Sequence, residues 1–162
     1  HLFILMLPLL FALQAAPVTA QSANVAFGAL AQDTKLPVEV TADNLAVDQE
    51  TGEAVFTGNV LIGQGEMRLS APRVLVIYLA DQKGIERMEA TGGVTLVSGP
   101  DAAESERADY DIDTGTIVMS GNVLLTQGRN ALSSDTMSVK LSDGTAQMSG
   151  RVKTILQTGS NN

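Results

Sequence analysis

From Val38 onward, apolar and polar residues alternate in short runs separated by turn residues. Val38-Glu39-Val40-Thr41 has the two-residue period of a half-buried strand. Further strands are predicted over Glu53 to Ile62, interrupted at Gly58-Asn59, and over Met67 to Leu79, whose second half is rich in β-formers. Ile85 to Thr91, Val94 to Val97, Ala108 to Asp113, Thr116 to Thr126, Leu132 to Leu141 and Ala146 to Leu156 complete the set. Turn residues separate them at Thr51-Gly52, Asp81 to Gly84, Gly92-Gly93, Ser98 to Asp101, Thr114-Gly115 and Ser142 to Gly144. Short strands at regular spacing with Gly-rich turns predict an all-β fold of antiparallel strands.

The pattern repeats. A shift of 63 residues lays Thr51-Gly52 on Thr114-Gly115 and Gly58-Asn59-Val60-Leu61 on Gly121-Asn122-Val123-Leu124. The same shift lays Gln64-Gly65 on Gln127-Gly128 and Leu69-Ser70 on Leu132-Ser133. Weaker echoes at Gly92-Gly93-Val94 and Gly150-Arg151-Val152 make the unit roughly 30 residues, the size of stacked units that cannot bury an apolar face alone. Gly and Asn tolerate positive φ, so the Gly-Asn-Val blocks suit bends or bulges.

Strand side chains alternate between faces, which assigns an inward set. It contains Val38, Val40, Ala54, Phe56, Val74, Val76, Ile112, Ile117, Met119, Met137, Val139 and Leu141, with Asp109, Asp111 and Asp113 pointing out. The set is mostly Val, Ile, Leu and Met. It fits either a dry core or a partly open groove for acyl chains, and periodicity alone does not separate the two.

Residues 1–20 carry no Asp, Glu, Lys or Arg and run apolar from Leu2 to Leu13. Val18-Thr19-Ala20 ahead of Gln21 fits the small-residue rule of a secretory cleavage site, and Pro8 and Pro17 interrupt any helix there. The expected organisation is a signal segment over 1–20, a flexible lead over 21–34, one β domain over 35–157 and a tail over 158–162. The chain has no Cys and no Trp, and its one His lies in the segment expected to be removed. Ser-His and Cys-His catalysis and the usual zinc sites are thereby excluded, and no catalytic residue, metal or cofactor is expected. A net charge of -8 argues against nucleic acid and against holding an anionic head group by net attraction. A lipid ligand would be held by its tails.

Asp109-Tyr110-Asp111-Ile112-Asp113-Thr114-Gly115 has the alternating carboxylates of a calcium loop. Its Gly comes one residue late and Ser120 stands where a bidentate Glu is needed, so it reads as an exposed strand face entering a turn. Nothing selects a carboxylate pair for glycoside hydrolysis. Gly63-Gln64-Gly65 and Gly92-Gly93 read as turn glycines, not phosphate loops.

The segments Pro37-Val38-Glu39-Val40-Thr41-Ala42-Asp43, Ala54-Val55-Phe56-Thr57-Gly58-Asn59-Val60, Gln64-Gly65, Leu69-Ser70-Ala71 and Val74, with a second Gly121-Asn122-Val123 block, resemble the OstA-like family of periplasmic lipopolysaccharide-transport proteins. The resemblance covers roughly Asp33 to Leu156. It implies a curved β-jellyroll, open along one side, that accepts lipid A acyl chains while the sugars stay in water. It implies copies stacked end to end between the inner and outer membranes, and periplasmic localisation. Partners would be lipopolysaccharide, the chain itself and membrane transport components, met through edge strands over Val38 to Thr41 and Val152 to Leu156. Carried over by position, Val38, Val40, Leu96 and Ile112 become lipid-facing; all four are inward by alternation, Leu96 resting more on the resemblance. Phe56, Val74, Val76, Met119 and Met137 join them from the inward set. The alternative is a structural β-repeat scaffold, or a membrane-anchored, LptC-type component of the same pathway.

Overall fold

The computed structural model describes residues 22–27 and 34–159. Residues 1–20, the expected signal segment, lie outside the described residues, as do parts of the lead and tail. Every regular element described is a strand. They are β1 (Ser22–Ala26), β2 (Glu39–Thr41), β3 (Asn44–Asp48), β4 (Glu53–Gln64), β5 (Met67–Tyr78), β6 (Ile85–Ser98), β7 (Asp101–Asp111), β8 (Thr116–Gln127), β9 (Asn130–Lys140), β10 (Thr145–Ser149) and β11 (Lys153–Ile155). All belong to one antiparallel sheet in the order β1-β10-β9-β8-β7-β6-β5-β4-β2, with β3 also on β4 and β11 also on β9. The two ends of the sheet do not pair with each other, so it is not a closed barrel.

Each long strand bends midway. Pairing shifts register at Thr57/Val60, Ser70/Arg73, Thr91/Val94, Glu104/Arg107 and Ser120/Val123, a continuous line of bulges across the sheet. The repeated Gly-Asn blocks sit on this line. Gly58 and Gly121 have φ of 80° and 83°, and Asn59 and Asn122 follow in the left-handed region. At each bend a neighbouring acid completes the turn: Asn59 Nδ2 donates to Asp43 Oδ2 and Asn122 Nδ2 to Glu106 Oε1, both at 2.9 Å. Asp135 takes the equivalent place beside Gly150, where a Cβ would meet its Oδ2 at 2.6 Å. A charge-assisted hydrogen bond to each Asn therefore holds a conformation that few residues other than Gly and Asn accept.

The bend line divides the sheet into two halves with two rims. One rim is the register row Gln64, Met67, Ser98, Asp101, Gln127 and Asn130. The other is Glu53, Ile77, Arg87, Asp111, Thr116, Lys140, Thr145 and Ala26. Laid flat, a 12-residue strand such as β4 separates the rims by about 35–40 Å. Yet Gln64 on the first rim and Tyr110, one residue inside the second, share a hydrogen bond of 2.5 Å. The strands are therefore folded at the bulges, and the halves pack face to face around one apolar core.

Several expectations are corrected. Gly92-Gly93 is not a turn between two strands, since β6 runs through it as a bend. β7 begins at Asp101, where a turn was expected, because its inward positions are the small Ala103 and Ser105. The predicted strand Ala146 to Leu156 is broken at Gly150-Arg151 into β10 and β11. β3 was not foreseen. Ser22–Ala26, within the stretch expected as a flexible lead, is a strand paired with β10: the free edge of β10 supplies a backbone ladder that side-chain pattern does not reveal.

Candidate functional site: the apolar inner face

Residues directly opposite in an antiparallel pair share a face, so the register extends the inner stripe from strand to strand. Val40 lies opposite Ile62, Phe56 opposite Val74, Val76 opposite Met88, Leu69 opposite Leu96, and Met119 opposite Met137. All nine expected lipid-facing residues are on this face or packed against it: Val74, Val76, Leu96, Met119 and Met137 are buried in the core, and Val38, Val40, Phe56 and Ile112 border it half-buried. The structure gathers every one of them into a single apolar interior.

The interior is not equally covered along its length. Its central part is packed, with Leu96, Met119 and Met137 fully buried. Towards the β2–β3 end it opens. Leu45 lies opposite Phe56 and Val47 opposite the buried Ala54, so both continue the inner face, yet they are 55% and 60% exposed. Sequence reasoning missed these two. The alternation Leu45-Ala46-Val47 is only three residues long and lies between the polar Asp43-Asn44 and Asp48-Gln49-Glu50, so it carries no strand signal of its own. Large aliphatic side chains in water on a strand edge leave apolar area to be covered by something else.

Buried polar groups sit on the rim, at Gln64, Ser98 and Asp101, and beside the bend line, at Ser105 and Ser134. Gln64 is buried with its amide fully used: Oε1 accepts from the Tyr110 hydroxyl and Nε2 donates to the carbonyls of Thr34 and Leu36, both at 2.9 Å. Burial pushes the Tyr110 phenol up to about 12, against a smaller opposite effect of the Gln64 bond. On the outer surface Arg107 binds Asp109 at 2.6 Å and Glu89 at 3.1 Å, and the bond to Asp109 raises its pKa. Two carboxylates of the Asp109 to Asp113 run are spent in this way: Asp109 holds Arg107, and Asp111 Oδ1 accepts from the Thr114 amide at 3.0 Å. A cleft beside β2, lined by Leu36, Glu39, Thr41, Leu61 and Arg68, includes none of the nine residues.

A bent, unclosed antiparallel sheet with an apolar inner face is a specific architecture, and comparison with known proteins identifies it. Residues 39–145 match the model of the LptA/(LptD N-terminal domain) LPS transport protein family. The chain belongs to this family. An uncharacterized protein of Rhizobium meliloti (strain 1021) is 29% identical over 114 residues, 66% of this chain and 61% of that protein. The lipopolysaccharide export system protein LptA of Escherichia coli (strain K12) is 28% identical over 71 residues, 44% of this chain and 38% of its own length. Its Haemophilus influenzae counterpart is 35% identical over 65 residues, 40% of this chain and 38% of its own length. The chain thus spans 61% of the first of these relatives and 38% of the other two. In fold, it superimposes on LptH of Pseudomonas aeruginosa, described as the LptA homologous periplasmic component of a lipopolysaccharide transport device. That match has a TM-score of 0.68 at 18% identity and covers 78% of this chain and 99% of LptH. The family match spans β2 to the start of β10, so the bend line and all nine expected lipid-facing residues except Val38 lie within it. No helix among the described residues is long and apolar enough to cross a membrane.

Proposed function

We propose that this chain is a periplasmic carrier that shields the acyl chains of lipopolysaccharide against its inner face, with Val38, Val40, Phe56, Val74, Val76, Leu96, Ile112, Met119 and Met137 as the contacting side chains. The observation that carries this reading is the inner stripe itself. It runs unbroken from the buried centre to Leu45 and Val47, which stand exposed at the sheet edge. An ordinary core ends before it reaches water; a conduit does not.

Each CH₂ kept from water is worth about 0.8 kcal/mol, so an acyl chain of a dozen carbons costs on the order of 10 kcal/mol if left bare. A continuous apolar face offsets that cost at every point of the path, and passage along it breaks no covalent bond. With a net charge of -8, the protein repels an anionic head group overall, so contact is confined to the tails.

The same edge supports end-to-end stacking of copies into a bridge between the two membranes. Leu45 and Val47 of β3 stand at one end of the sheet, and Ile155 and Leu156 stand exposed at and just beyond β11 at the other. Strands paired on one side only, with exposed aliphatic residues, are suited to accept another strand, from a second copy or from membrane components of the transport pathway.

The test is photo-crosslinking to lipopolysaccharide from Ile112 and from its outward neighbour Asp111. Ile112 is expected to capture the lipid and Asp111 not; the reverse would sink the assignment of faces. Ile112→Asp is expected to abolish lipopolysaccharide binding while leaving secretion intact.

A further inference from the structure

The repeat has a consequence beyond the bends. Gln64-Gly65 and Gln127-Gly128 are equivalent positions, 63 residues apart, and both glutamines lie on the same rim. Both turn an amide to the N-terminal segment. Gln64 Nε2 donates to the carbonyls of Thr34 and Leu36, and Gln127 Nε2 donates to the carbonyl of Ala26 and, at 3.1 Å, to Asp101 Oδ2 beside it on the rim. The two glutamines thus grip the chain on either side of the step from β1 to β2.

Both grips span the mouth between the rims. Ala26 pairs with Thr145 on the second rim while its carbonyl is held from the first. Thr34 is held by Gln64 from the first rim, and its methyl group crowds Gly115 in the turn of the second, where a Cβ would meet it at 2.9 Å. Phe27 follows Ala26 into the interior. It is 2% exposed, belongs to the same core as Met119 and Met137, and donates its amide to the Gly144 carbonyl at 2.8 Å.

This arm is built differently from the strands it covers. β1 has five residues, Ser-Ala-Asn-Val-Ala, and pairs only with β10. Small side chains bury little, so the backbone ladder, Val25, Phe27 and the two glutamines hold it. The long strands pair on both sides and each contribute several buried side chains. The arm is therefore the segment with the least to lose on opening. Its one large apolar group fills space that an acyl chain entering the packed centre would need.

We propose that Ser22–Phe27 with Thr34–Leu36 is an intramolecular occupant of the lipid site, latched by Gln64 and Gln127 and displaced when acyl chains enter. The proposal rests on the carrier reading above and adds a competitor to it. Apparent lipid affinity is then the intrinsic affinity reduced by the fraction of molecules whose arm is released.

The chain has no Cys, and Ala26 and Thr145 are exposed partners across the β1–β10 ladder, within reach of a disulfide. The test measures binding of purified rough-type lipopolysaccharide to the Ala26→Cys/Thr145→Cys variant, oxidised and reduced. The oxidised form is expected to bind at least about tenfold more weakly than the reduced form, while melting no lower. Phe27→Ala, which weakens the competitor, is expected to bind several-fold more tightly than the parent. In the unmodified protein, added lipopolysaccharide should remove hydrogen-exchange protection from the alternate amides between Thr145 and Ser149 that face β1, while those facing β9 stay protected. Equal binding by the oxidised and reduced forms, with Phe27→Ala no tighter than the parent, would overturn the latch and leave the carrier reading standing. Failure of the parent and the reduced variant to bind at all would overturn both.

Discussion

Tyr110 is a buried phenol that donates across the interior to Gln64, and burial favours its neutral form, so its pKa stands near 12 against an ordinary 10.0. An acid whose folded pKa is raised stays protonated in the folded state after the unfolded chain has begun to ionise. The unfolded state then binds fewer protons, so this contribution is fully present below pH 10 and is lost as pH rises from about 10 to about 12. The loss is on the order of 2 kcal/mol. Denaturant melts between pH 9 and 12 should show it in the parent and not in Tyr110→Phe. At neutral pH, Tyr110→Phe leaves Gln64 Oε1 buried without a donor and should cost about 1–3 kcal/mol. Gly121 is constrained more sharply: its φ is 83° and a Cβ would collide with the Glu106 carboxylate. Gly121→Ala should lower stability by about 2–4 kcal/mol in thermal melts, through strain and a disrupted Glu106–Asn122 bond.

Among the elements, pattern revealed strands wherever the inward side chains are large. β4, β5, β8 and β9 were legible through Val, Ile, Leu, Met and Phe at alternate positions. The first half of β7 was not, because Ala103 and Ser105 face in and Glu104 and Glu106 face out, leaving no hydrophobic signal. β1 was hidden for a related reason, since its place comes from the free edge of β10. β3 was obscured by acidic neighbours, and with it the exposed pair Leu45 and Val47. If these two residues cover the next copy in a stack, Leu45→Asp with Val47→Asp should weaken self-association at least tenfold in sedimentation velocity, an effect of about 1.4 kcal/mol or more. The monomer's melting temperature should barely move, because both side chains are already largely in water.

At the scale of the whole molecule, the carrier reading separates tails from head group. Burial of acyl chains is insensitive to modest salt, whereas head-group contact by Lys and Arg would be screened. Lipopolysaccharide affinity is therefore expected to change less than about threefold between 0.05 and 0.5 M NaCl; a steep fall in calorimetric titrations would point to charged contacts instead.

The bends, the repeat and the parity of inward residues were written in the sequence, because each is a local property: positive φ at Gly-Asn, a register of identities, and alternation along a strand. So was the aliphatic character of the interior. Only the tertiary structure decided what these amount to together. Folding the sheet at its bulges brings Gln64 against Tyr110, carries the inner stripe out to Leu45 and Val47, and sets Gln64 and Gln127 against the same N-terminal arm. Those contacts join residues 28 to 101 positions apart. No period along the chain encodes them, since they depend on where two rims of one sheet meet in space.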